Sequence, residues 1–99
     1  MSSNPPLTFR HPDRYRIACA LARADDGAAF GPLGRALDLG NNELAHHLRL
    51  LQRAGLIERD HPPGRMRPTI LTLTSSGRAA LAQHGAVLAR LAAEADMAP

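Results

Sequence analysis

The 99-residue sequence contains no lysine, no tryptophan, a single cysteine and only two Phe and one Tyr. Each scarcity excludes something. Cys19 alone cannot form an internal disulfide, which argues against a disulfide-framed secreted scaffold. No run approaches the roughly 20 apolar residues that a membrane-spanning helix needs. The segment Met1–Asp13 has no apolar core, so no signal peptide is expected there. Together these absences predict a cytoplasmic location and no membrane partner. There is no Gly-rich phosphate loop, no nucleophile elbow and no carboxylate pair in a recognisable context, so the chain does not read as an enzyme. Metal ligands are not clustered either. His46 and His47 are adjacent and leave a helix in different directions. His84, Glu94 and Asp96 miss the i, i+4 spacing of helical ligand pairs. No metal and no cofactor are expected, and Cys19 reads as a small core residue.

What remains is a globular composition, 44% hydrophobic and 21% charged, too apolar for a disordered chain. Its length suits one domain with a modest core. All 12 basic residues are arginine. GC-rich coding produces Ala and Arg in abundance, so the count alone carries little. The distribution carries more. Residues 30–78 hold seven Arg against four acids, whereas the rest of the chain balances five against five. The whole net charge of +3 therefore sits in one half of the chain.

Residues 1–10 read as a flexible N-terminal arm and 11–99 as a single domain. His11-Pro12-Asp13 starts a helix, with proline early and an acid in the first turn, running to about Arg23. Ile17, Ala18 and Leu21 form its apolar stripe, and Asp25-Asp26-Gly27 ends it. Phe30, Leu33, Ala36 and Leu37 mark a second, short helix. Asp38 to Asn41 is a turn in which Gly40 supplies backbone freedom. A third helix, about 41–54, carries Leu44, Leu48 and Leu51 at i, i+4, i+7. Asn41 or Asn42 is its expected cap, and Gly55 ends it. Leu56–Arg59 and Thr69–Thr74 are β-prone, with Leu73 and either Ile70 or Leu71 on the inner side. Between them, residues 60–68 hold three prolines and a glycine and must form a loop. A single-residue β contact is expected near Ala28-Ala29. Thr74 or Ser75 then caps a long, Ala-rich helix over about 76–95.

Two short helices joined by a tight turn place the second in the major groove of DNA. The third helix has the required two sides. Leu44, Leu48 and Leu51 form its back; Asn41, Asn42, Glu43, His46, His47, Arg49, Leu50 and Arg53 form its front, the side expected to contact DNA. Asn can read adenine, Arg guanine and Glu cytosine. His47 lies beside the leucine stripe, where packing and DNA contact are both open. Arg65 and Arg67 in the loop are placed to enter a minor groove or grip flanking phosphates.

The stretch resembles the winged helix-turn-helix domains of bacterial transcriptional regulators of the MarR and ArsR type. The resemblance rests on Leu44-Ala45-His46-His47-Leu48 with Leu51, then Ala54-Gly55-Leu56-Ile57, the Arg65 to Thr74 wing, and Gly77-Arg78-Ala79. His11-Pro12, Arg14, Ile17 and Leu21 extend it to the first helix, so it covers about residues 11–82. Gly40-Asn41-Asn42-Glu43 departs from the usual Ser/Thr-rich start of the recognition helix. The resemblance implies an α+β, mostly α fold: a three-helix core, a two-stranded β wing and a long C-terminal helix. It implies a homodimeric regulator, read as a repressor, that binds double-stranded DNA. The first and last helices would form the dimer interface, through Ile17, Leu21, Leu81, Leu88 and Leu91. The competing reading is a winged-helix protein-interaction module, which would carry an apolar patch in place of the polar front. The sequence names no effector.

Overall fold

Proline at the first position of a helix forfeits no hydrogen bond, and Pro12 opens α1 (Pro12–Ala22). His11 is its N-cap: the imidazole Nδ1 accepts the backbone N–H of Asp13 at 3.2 Å. The computed structural model of the chain describes residues 7–61, 63, 64 and 67–97. Ahead of α1, Leu7–Arg10 forms a short 3-10 helix whose Phe9 is buried in the core. After α1 come β1 (Ala28–Ala29), α2 (Phe30–Leu37), α3 (Asn41–Arg53), β2 (Ile57–Asp60), β3 (Ile70–Leu73) and α4 (Ser75–Met97). The architecture is the mostly helical α+β winged helix expected from the sequence. β1 is a two-residue strand rather than a single contact.

The leucine spacing of α3 does what amphipathic spacing dictates. Leu44, Leu48 and Leu51 are fully buried, against Ile17, Ala18 and Leu21 of α1 and Leu33 of α2. Each such side chain contributes about 1.5–3 kcal/mol on leaving water. β2 and β3 pair antiparallel, with Ile57 opposite Leu73 and Asp60 opposite Ile70. β1 adds to the other edge of β3, giving the order β1-β3-β2. Along β3 it is Leu71 and Leu73, rather than Ile70, that are buried. Gly55, with φ of +75°, reverses the chain at the end of α3.

Two local expectations are corrected. Gly40 is the N-cap of α3, with no side-chain capping bond, and Asn41 and Asn42 are already inside the helix. The left-handed residue of the α2–α3 turn is Asp38, with φ of 56°, whereas Gly40 has an ordinary φ of −67°. A short polar side chain tolerates that conformation, so aspartate takes the place expected of glycine. No helix among the described residues is long and apolar enough to cross a membrane.

Candidate nucleic-acid interface

The helical repeat of 3.6 residues sorts α3 into two sides. Asn42, His46, Arg49 and Arg53 follow at i, i+4, i+7 and i+11, and all four are exposed. Asn41 and Glu43 are exposed in the first turn. Glu43 also suits the positive end of the helix dipole there. Arg67 is exposed in the loop between β2 and β3; Arg65 lies outside the described residues. The ion pairs among the described residues are Arg16–Asp13 and Arg78–Asp25. Arg49, Arg53 and Arg67 thus pair with no described carboxylate, and their guanidinium groups remain available to an external anion. The large apolar side chains exposed among the described residues are Leu7, Leu88 and Leu91, none of them on α3.

His47 belongs to the other side of the helix. It is 4% exposed, on the buried side of α3 with Leu44, Leu48 and Leu51. Its ring centroid lies 4.5 Å from that of His11 and 5.5 Å from that of His46. Arg14 Nη1 approaches its Nδ1 at 3.3 Å. Burial pushes the His47 pKa below the usual histidine value. The neighbouring His11 and Arg14 push the same way, and the Asp13 carboxylate opposes them. The ring is therefore neutral at physiological pH.

Donor atoms of His11, Asp13 and His47 come within 4.8 Å of one another, the spacing of a metal cluster. Sequence reasoning missed this group because His47 lies 34 residues or more from His11 and Asp13, and no local spacing links it to them. The Nδ1 lone pairs of both rings, however, are occupied. His11 Nδ1 accepts from Asp13 N–H, and His47 Nδ1 faces a guanidinium that can only donate. A ring whose Nδ1 accepts carries its proton on Nε2, which makes that nitrogen a donor. One Asp13 oxygen binds Arg16 at 3.0 Å. With a fixed arginine cation already against His47, the group does not suit a metal ion.

The five residues assigned to dimerisation separate clearly. Ile17 and Leu21 are fully buried in the chain's own core, and Leu81 is half-buried against it. Leu88 and Leu91 are 41% and 54% exposed on the outer half of α4. Between the 3-10 helix, α1 and α4 lies a groove of about 640 Å³, lined by Phe9, Pro12, Tyr15, His84 and Leu88 among others. The Tyr15 and His84 rings meet there at a tilt of 58°, with centroids 4.8 Å apart. Burial raises the Tyr15 pKa, and the neighbouring Cys19 raises it further. Cys19 is half-buried rather than enclosed.

A family model described as a helix-turn-helix domain matches residues 10–60, from before α1 through β2. No curated protein matches the chain in sequence. Among solved structures, the transcriptional repressor CouR bound to a 23-mer DNA duplex is 27% identical with a TM-score of 0.72, over 79% of this chain and 54% of that one. A transcriptional regulator homologue from Pyrococcus horikoshii OT3 is 27% identical with a TM-score of 0.71, over 85% of this chain and 87% of that one. A MarR family transcription regulator is 29% identical with a TM-score of 0.65, over 87% of this chain and 58% of that one. The chain therefore spans little more than half the length of several of the regulators it resembles.

Proposed function

Because this chain belongs to the helix-turn-helix domain family, we propose that it is a transcriptional regulator that binds double-stranded DNA, with α3 in the major groove. The observation that carries the reading is the two-sided α3. Its leucine side is consumed by the core, and its Asn42, His46, Arg49 and Arg53 side is solvated, polar and free of large apolar groups. That polar front favours DNA over a protein-interaction module, which needs an apolar patch there. Asn42, Glu43 and His46 at the start of the helix read base edges, and Arg49 and Arg53 reach base edges or phosphates. Arg65 and Arg67 grip flanking phosphate or minor groove from the wing. The protein acts as a homodimeric repressor in the cytoplasm. The exposed Leu88 and Leu91 on the outer half of α4 supply apolar surface for a second copy. A two-fold dimer sets two recognition helices about 34 Å apart, so its site is a pseudo-palindrome.

The test is selection of bound duplexes from a random pool at stated salt, followed by affinity measurements across a salt series. An enriched pseudo-palindrome is expected. The R65A/R67A double variant should bind all sequences more weakly and lose up to about two units of salt slope. Failure to enrich any sequence at low salt would overturn the reading.

A further inference from the structure

α3 turns a histidine inward where its other buried side chains are leucine. A guanidinium has only donors, so the 3.3 Å contact from Arg14 Nη1 requires a lone pair on His47 Nδ1. The N-cap of α1 makes the same demand on His11, whose Nδ1 accepts from Asp13 N–H. Arg14 is itself fixed from the far side, its Nε donating to the Thr8 carbonyl at 2.7 Å. The residue therefore ties three elements together: the 3-10 helix, α1 and the back of α3.

The charged and titratable groups facing His47 are His11, the N-cap of α1, Asp13 and Arg14 from α1, and His46 from α3 itself. Asp13 is the one anion among them, and Arg16 already holds one of its oxygens. The arrangement is satisfied only while Nδ1 of each ring keeps a lone pair for the donor it faces. A proton on His47 Nδ1 turns an acceptor into a donor facing a donor. It also sets a positive charge against an arginine that cannot give one up.

We propose that Arg14, His11 and His47 form a proton-operated latch, which seats the recognition helix on α1 when neutral and releases it when His47 is protonated. Release weakens sequence-specific DNA binding. This consequence rests on the DNA-binding reading above. The direction is opposite to that of a surface histidine, whose protonation adds positive charge and strengthens binding to phosphate.

His47→Asn tests the latch, because the Asn Oδ1 can accept from Arg14 in place of Nδ1 yet does not titrate. Affinity for a selected duplex is measured at fixed salt at about pH 7.5 and about pH 5.5. The wild-type protein should lose on the order of tenfold more affinity than H47N over that interval. Equal pH dependence in the two proteins overturns the latch. An NMR titration of the wild-type protein provides the second readout. The His47 ring and the backbone amides of α1 and α3 should move with one common midpoint. A His47 titration that leaves those amides unmoved overturns the proposal, even if H47N does not fold. If neither protein binds DNA at any pH, the functional reading falls and the NMR result alone decides the latch.

Discussion

Thr74 Oγ1 accepts the backbone N–H of Gly77 at 2.9 Å and donates to the carbonyl of Gly55 at 2.7 Å. One hydroxyl thus caps α4 and ties it to the turn that ends α3. The Thr74 backbone N–H reinforces the tie by donating to the Leu56 carbonyl at 3.0 Å. Thr74→Ala should cost about 1–2 kcal/mol, the upper range for a lost cap, and lower Tm by several degrees, at about 4–8 °C per kcal/mol. Thr74→Ser should retain most of that stability. Thermal unfolding followed by circular dichroism checks both, and equal Tm values for wild type and T74A would show that the bond contributes nothing.

The part of the fold legible in the sequence is the part written in local periodicity. Leu44, Leu48 and Leu51 announce the buried side of α3, and the Pro/Gly-rich loop announces the hairpin. The turn between α2 and α3 was misread because backbone sign there is decided by Asp38, a residue that takes either hand. Asn41 and Asn42 have the right chemistry for a cap, but the helix starts at Asn41, so both already lie inside it. The Arg14–His47 contact joins residues 33 positions apart, and no local pattern records such a pair. Ile17 and Leu21 read as an apolar stripe free to dimerise because the sequence does not say which stripe the core consumes.

Two glycines of α4 should respond in opposite ways to alanine. A Cβ on Gly77 would meet the Leu56 carbonyl oxygen, with Leu73 Cδ1 2.8 Å away. Backbone oxygen cannot turn aside as a side chain can. Gly77→Ala should therefore lose about 1–3 kcal/mol as the strand end and helix start separate. The same methyl on Gly85 would sit 3.5 Å from the Tyr15 hydroxyl, an ordinary contact. Gly85→Ala should instead gain roughly 0.5–1 kcal/mol from helix propensity. Denaturant midpoints of the two variants give the comparison, and a stable G77A would contradict the close approach.

Leu88 and Leu91 are too exposed to matter much to the stability of one protomer, at 41% and 54%. The double variant L88E/L91E should keep the helical circular dichroism signal of the wild type. It should run as a monomer in light scattering at micromolar concentration, where the wild type runs as a dimer. Its affinity for a two-half-site duplex should fall to that for a single half-site. A wild-type protein that is itself monomeric would remove the homodimer from the functional reading.

His47 also sets how stability depends on pH. Its folded-state pKa is lowered, chiefly by burial and then by His11 and Arg14, whereas in the unfolded chain it titrates near about 6.5. Above that pH neither state binds the proton, and this group contributes no slope. As the pH falls below it, the unfolded chain takes up a proton that the folded chain refuses, so stability falls. The loss approaches about 1.4 kcal/mol per pH unit and ends once the folded-state pKa has been passed. H47N should lack this component while sharing the slope from every other group. The measurement is ΔG of unfolding by denaturant for both proteins, at several pH values from about 7.5 downward. A difference between them that stays constant across the range would show that His47 titrates alike in the folded and unfolded chains.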